Sequence, residues 1–136
     1  MKVSARIMIV EDRDMISQAI EDMLTISGYE VVSSVEDGKT AIDTYPSSKP
    51  DIVLMDISMP FVDGIETTRV IKRIAPETRV VMLSIHENNY YRADAIQAGA
   101  LAYVNKREMT TKLIPILQEI ITNDQGHLQD RQPKEE

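Results

Sequence analysis

The sequence predicts an α/β fold in which five parallel strands form one sheet with helices on both faces. Three observations lead there. Short apolar runs end on charged or hydroxyl residues, apolar residues between those runs recur at helical spacing, and the connections are short. A parallel strand covered on both faces reads as a near-continuous Val/Ile/Leu/Met run rather than an alternation. Parallel neighbours also need a crossover long enough to hold a helix.

Arg6 to Val10 is the first such run, and it stops at Glu11-Asp12. From Asp14 the period changes: Ile16, Ala19, Ile20, Met23 and Leu24 fall on one helical face, and Gly28 suits the position after a helix end. Tyr29 to Val35 reads as the second strand, and Asp37-Gly38 turns the chain. Thr40 to Tyr45 predicts a short helix stopped by Pro46-Ser47-Ser48-Lys49-Pro50. Ile52-Val53-Leu54-Met55 is the most apolar strand and ends on Asp56; Pro60 and Gly64 mark the following loop. Ile65 to Ile74 is helical, Arg79 to Ser84 is the fourth strand, and Asn88 to Ala98 is a helix closed by Gly99. Leu101 to Val104 is a short fifth strand, ending at Asn105-Lys106. The last helix carries Leu113, Ile116, Leu117, Ile120 and Ile121 as one buried stripe. Right-handed crossovers then favour a flavodoxin-like (βα)5 doubly wound sandwich with strand order 2-1-3-4-5. Residues 5–123 make the folded unit, and the polar stretch 124–136 reads as a linker or disordered tail.

Bulk properties narrow the function. The 136 residues suffice for one domain with a sizeable core. No apolar run approaches the ~20 residues of a membrane span, and the N-terminus lacks a signal-peptide layout. The absence of cysteine excludes a disulfide framework and thiolate metal sites. A cytoplasmic protein is the expectation. A net charge of −7 argues against direct DNA binding by this domain.

In an open parallel sheet, ligands bind beyond the carboxyl ends of the strands. There strand one supplies Glu11 and Asp12, strand three Asp56, strand four Ser84 and strand five Lys106. Each has an ordinary reading when taken singly: a solvated acidic pair, a helix cap, a turn serine, a surface lysine. Strands one and three are neighbours in the predicted order, so three carboxylates converge and repel one another. A divalent cation relieves that repulsion, and all-oxygen donors suit Mg²⁺ or Mn²⁺. Ser84 can donate to a phosphate oxygen and Lys106 can pair with it. A carboxylate nucleophile, a cation, a hydroxyl and a lysine are the parts for moving a phosphoryl group onto Asp56. His86 and His127 are too few and too far apart for a metal site, and one of Tyr90-Tyr91 is expected to pack on the sheet.

Glu11-Asp12, Asp56 with Met59-Pro60 and Gly64, Ser84, Ala98-Gly99-Ala100, Tyr103 and Lys106 together resemble the receiver domain of two-component response regulators. The resemblance covers about Arg6 to Asn123. It is nearest the NarL/FixJ-type receivers through the stretch Ala95 to Lys106 and through Gly126-His127-Leu128. It implies that Asp56 accepts a phosphoryl group from a sensor histidine kinase. It also implies Mg²⁺ held by Asp12, Asp56 and the Ser58 backbone carbonyl, with Glu11 acting through water. Ser84 and Lys106 would hold the phosphoryl oxygens. A shift of Ser84 would let Tyr103 turn inward and remodel the face made by the fourth helix, fifth strand and fifth helix. By the same resemblance the domain catalyses only its own phosphorylation and dephosphorylation. Its output would be a transcriptional response through a C-terminal DNA-binding domain that this chain lacks, with homodimerisation on phosphorylation as an option.

Three residues depart from the family pattern. Ile85 stands after Ser84 where a small residue is usual, and its bulk narrows access to Asp56. Arg107 follows Lys106 where many receivers have proline, and a cis bond there would cost ~3 kcal/mol without one; trans is expected. Pro115 falls near the start of the last helix, which is therefore expected to begin near Thr111 or Lys112, or to kink. Rival functions fare less well. A haloacid-dehalogenase-type phosphatase would show Asp-x-Asp, whereas Ser58 stands two residues after Asp56. A flavodoxin-like cofactor carrier would want a Ser/Thr/Gly phosphate loop where Glu11-Asp12 stand. A degenerate, phosphorylation-independent receiver would not need the complete acidic set.

Overall fold

The computed structural model describes residues 4–59, 62–85 and 89–123. Pro60, His86, Asn88 and the stretch 124–136, with Gly126, His127 and Leu128, lie outside the described residues. The elements in chain order are β1 (Arg6–Val10), α1 (Asp14–Ile26), β2 (Glu30–Val35), α2 (Gly38–Ser48), β3 (Ile52–Asp56), α3 (Gly64–Ile74), β4 (Arg79–Ser84), α4 (Asn89–Ala98), β5 (Ala102–Asn105) and α5 (Met109–Asn123). All strand pairs are parallel, in the predicted order β2-β1-β3-β4-β5.

Each strand divides its side chains between two cores, because successive residues point to opposite faces. Met8, Val10, Val53, Met55, Val80, Met82 and Tyr103 pack under α2, α3 and α4, with Ile65, Ile71 and Ala95 from the helices. Ile7, Ile9, Ile52, Leu54, Val81, Leu83 and Val104 pack under α1 and α5, against Ile20, Leu24, Leu113 and Leu117. Burial on both faces explains why β1, β3 and β4 read as unbroken apolar runs.

Two helices overrule their prolines. Helix α2 starts earlier than predicted, where Asp37 Oδ1 accepts the Thr40 amide at 2.8 Å. It continues through Pro46 to Ser48. A proline in the last turn costs one backbone hydrogen bond, but the turn is tied down by tertiary contacts. Tyr45 is buried with its hydroxyl on that of Thr78, and the Ser48 hydroxyl lies 3.1 Å from that of Ser33. Helix α5 begins at Met109, earlier than expected, and holds Pro115 at its seventh position. A single 3₁₀ turn, Lys106–Glu108, starts it, with Asn105 Oδ1 accepting the Arg107 amide at 2.8 Å. The exposed Pro115 costs ~3 kcal/mol. Burial of Leu113, Leu117 and Ile120 on the other face offsets it at about 1.5–3 kcal/mol each. The Lys106–Arg107 peptide is trans, as expected.

Gly28, at φ +92°, leaves α1 as the capping pattern predicts. Lys49 ends α2 in the left-handed region at φ +48°. A Cβ is penalised there, so Lys49→Gly is expected to stabilise the fold by about 0.5–1 kcal/mol, read as a higher urea midpoint at constant m.

Candidate functional site

Strand β1 carries its chain past Val10 so that the Glu11 amide still bonds the Val35 carbonyl, at 3.0 Å. That pairing turns the Glu11 side chain inward, where it is buried. Its Oε2 accepts the Arg13 amide at 3.1 Å, satisfying a donor at the start of α1. Its Oε1 is wholly buried and meets Lys106 Nζ at 2.8 Å as an ion pair rather than along a hydrogen-bond direction. Asp12 follows, half-buried.

Asp56 is the last residue of β3 and is 2% exposed. Its backbone is held on both sides: Ile57 continues the ladder by bonding the Leu83 carbonyl at 3.0 Å, and Gly64 at the head of α3 bonds the Ile57 carbonyl at 2.9 Å. Gly64 approaches so closely that a Cβ on it would stand 2.1 Å from the Asp56 carbonyl oxygen. The Asp56 Oδ1 accepts the Ser58 amide at 3.2 Å and lies 3.0 Å from Lys106 Nζ. Ser58 is thus placed beside Asp56 through its amide, on the exposed side of the site. Ser84 is buried at the end of β4, where its neighbour Leu83 pairs with Asp56 and Ser84 itself pairs with Asn105. Ile85, the next residue, is 47% exposed at the same edge.

Carboxylate oxygens of Glu11, Asp12 and Asp56 all lie within 4.8 Å of one another. The Asp56 carboxyl is pushed up to about 7, first by burial and then by the Glu11 charge; Lys106 and the Ser58 amide pull the other way. Three acids against one ammonium leave an excess of two negative charges when all are ionised. That excess, the all-oxygen donors and the Glu11 Oε1 without a hydrogen bond fit a hard divalent cation.

The raised carboxyl has a consequence for stability. An acid whose folded pKa lies above its unfolded value near 3.9 penalises folding wherever it is ionised. The penalty is absent below about pH 4, grows as pH rises, and is complete above about pH 7. Asp56→Asn removes it while leaving Lys106 its Glu11 partner. The variant is expected to match the parent near pH 4 and to exceed it by about 1–2 kcal/mol at pH 8, in paired urea titrations. Millimolar Mg²⁺ should narrow the difference by stabilising the parent.

Tyr103 sits on β5 opposite Met82, buried in the core under α4. The Arg92 guanidinium of α4 lies 4.8 Å from the centre of its ring. Of the tyrosine pair, Tyr91 packs on the core and Tyr90 is exposed, their rings meeting edge to face at 6.3 Å. The sequence reading missed three features of the site: the Glu11–Lys106 ion pair, the close approach of Gly64, and Arg92 over Tyr103. A glycine eight residues after a strand-terminal aspartate was a usable signal for the second. A cleft of about 720 Å³ lies at the opposite end of the sheet between Arg6, Tyr45, Lys49 and Thr78, away from the carboxylates.

Comparison with known proteins agrees with this geometry. Residues 7–118 match the family profile described as response regulator receiver domain. The chain is 41% identical over 101 residues to the chemotaxis protein CheY of Bacillus subtilis strain 168, covering 74% of this chain and 84% of that one. It is 34% identical over 110 residues to the transcriptional regulatory protein DegU of Brevibacillus brevis, covering 80% of this chain but 47% of DegU. A solved two-component response regulator of the LuxR family, from Aurantimonas sp. SI85-9A1, superposes with a TM-score of 0.85 at 30% identity, covering 89% of this chain and 87% of that chain.

Proposed function

Because this chain belongs to the response regulator receiver domain family, we propose that it is a phosphoacceptor switch in which Asp56 takes a phosphoryl group from the phosphohistidine of a sensor kinase. The observation that carries this reading is the convergence of Glu11, Asp12 and Asp56 at two strand ends, with the Lys106 ammonium 3.0 Å from Asp56. An Asp56 carboxylate oxygen attacks phosphorus while the P–N bond to the leaving imidazole breaks. Lys106 pairs with the incoming phosphoryl oxygens, and the Ser84 hydroxyl donates to one of them. Asp12, Asp56 and the Ser58 carbonyl would hold Mg²⁺, or Mn²⁺, with Glu11 behind them through water. Bound there, the cation supplies charge neutralisation and keeps the Asp56 carboxylate ionised at neutral pH.

Phosphorylation would then bias the face made by α4, β5 and α5, with Ser84 and Tyr103 as its moving parts. The output is a partner of that face, either a separate protein or a DNA-binding domain joined to the receiver. We place the domain in the cytoplasm, beside the kinase; among the described residues no helix is long and apolar enough to cross a membrane.

The test is intact mass after incubation with Mg²⁺ and phosphoramidate or acetyl phosphate, with a cognate kinase if small donors fail. One added phosphoryl group, lost in Asp56→Ala, is expected; no gain from any donor would leave a phosphorylation-independent binding module instead. Ile85→Ala opens the mouth of the site and is expected to speed both loading and hydrolysis by a few-fold, roughly 1 kcal/mol or less in barrier. Unchanged time courses would remove Ile85 as a gate.

A further inference from the structure

The cleft of about 720 Å³ at the end of the sheet remote from Asp56 has the size of a small-molecule pocket, about 300–1,000 Å³. It opens between the C-terminal ends of α2 and α3, and its walls are largely apolar. Pro46 is exposed on the α2 side, and Ile74, 50% exposed, stands on the α3 side. Its charged residues are Arg6, Lys49, Asp51 and Glu77. Arg6 is spent on the end of α2: its guanidinium donates to the Ser48 and Lys49 carbonyls at 2.6 and 3.3 Å and stands 3.5 Å from Glu30. Asp51 accepts the Arg6 amide at 2.9 Å. Beyond α3, Lys72 Nζ donates to the Pro76 and Thr78 carbonyls at 2.6 and 2.7 Å. The Tyr45 and Thr78 hydroxyls satisfy each other. Lys49 and Glu77 are different, because neither side chain makes an ion pair among the described residues. Lys49 holds its ammonium here from a backbone at φ +48°, where glycine would cost less. Burial holds the Tyr45 phenol above its usual range, and the Glu77 and Asp51 charges add to the rise, so both carboxylates act on the floor of the cleft. The cleft thus offers one unspent cation and one unspent anion on the two sides of an apolar seat.

We propose that this cleft binds a small dipolar molecule, an ammonium and a carboxylate carried on one apolar body, as in an aromatic amino acid or a short apolar peptide with free ends. Lys49 takes the carboxylate, Glu77 takes the ammonium, and the apolar body covers Ile74 and Pro46. A simple organic anion would meet Glu77 as a like charge, and a simple organic cation would meet Lys49 as one. Each therefore forfeits one pairing and gains one repulsion, which is how the cleft discriminates. The site is independent of the phosphoacceptor reading, since it uses none of the residues around Asp56.

The chain has no tryptophan, so the fluorescence anisotropy of an indole ligand reads binding to the full chain directly. The probes are tryptophan, the dipeptide leucyl-tryptophan, tryptamine, which lacks the carboxylate, and indole-3-propionate, which lacks the ammonium. At least one of the two zwitterions should bind roughly five-fold or more tighter than either truncated probe. Lys49→Gln should erase its advantage over tryptamine, and Glu77→Gln its advantage over indole-3-propionate. Ile74→Ser should weaken it roughly three-fold or more by removing apolar contact. Lys49→Gly, a variant expected to be more stable than the parent, should lose the preference for a carboxylate as Lys49→Gln does, which separates binding from folding. Tighter binding of tryptophan assigns the site to free amino acids, and tighter binding of leucyl-tryptophan assigns it to short peptides. The proposal is overturned if neither zwitterion binds at millimolar concentration. It is overturned equally if a truncated probe binds as tightly as both zwitterions, or if binding ignores Lys49→Gln, Glu77→Gln and Ile74→Ser alike.

Discussion

Lys106→Met is expected to slow phosphoryl uptake on Asp56 by about 10²–10³-fold, the usual cost of removing one preorganised charge from a transfer site. The same substitution should destabilise the metal-free fold by about 3 kcal/mol at pH 8. The reason lies in the two contacts of its ammonium, 2.8 Å from Glu11 Oε1 and 3.0 Å from Asp56 Oδ1. Both carboxylates are almost wholly buried, so removing the one cation among the described residues that touches both leaves buried charge uncompensated. Methionine keeps the length and apolar stem of lysine, which confines the change to the charge. Two further measurements separate charge from packing. Adding Glu11→Gln should return most of the lost stability, because one of the two stranded charges goes with it. Millimolar Mg²⁺ should return part of it too, and the phosphorylation rate should recover in neither case. Equal stability of Lys106→Met and the parent at pH 8 would show that the ammonium does not hold the acids.

Gly64→Ala is the second large effect, with a loss of about 2–4 kcal/mol and a fall in phosphoryl uptake of about 100-fold. A Cβ at residue 64 would stand 2.1 Å from the Asp56 carbonyl oxygen and 2.9 Å from the Ile57 Cα. Both obstacles are backbone, so no side-chain rotation relieves the clash; either the head of α3 or the end of β3 must move. Overpacking of this kind costs 1–3 kcal/mol in an ordinary core, and here it also strains the Gly64–Ile57 hydrogen bond. A shift of about 1 Å in a reacting carboxylate is worth about 10² in rate. Gly28→Ala is the control. It meets nothing within 4 Å and suffers only its φ of +92°, so it should lose about 1 kcal/mol and load Asp56 at the parental rate. If Gly64→Ala loads as fast as Gly28→Ala, the close approach does not position Asp56.

The strands and the residues at their ends were readable because both follow from local pattern. A strand covered on both faces must be apolar throughout, so the first charged or hydroxyl residue marks where it leaves the core; Glu11, Asp56 and Ser84 announce themselves in this way. The helix limits around Pro46 and Pro115 were not readable, because a local rule lost to long-range contacts. Tyr45 on Thr78, and Leu113 and Leu117 in the core, hold helical turns that proline alone would end. The Glu11–Lys106 ion pair joins residues 95 positions apart, and Arg92 meets Tyr103 across a helix and a turn. Such pairs depend on side-chain reach across the finished sheet, which periodicity does not encode.

The single 3₁₀ turn between Lys106 and Met109 has a consequence for how the chain tolerates insertions. Lys106 is fixed at one end by two buried acids, and Met109 at the other is buried under the sheet. One added residue in that turn would rotate everything after it by about 100°. The stripe of Leu113, Leu117 and Ile120 would then turn away from the sheet. Many side chains can serve at Arg107 and Glu108, which are exposed. Along these few residues length is the constrained quantity.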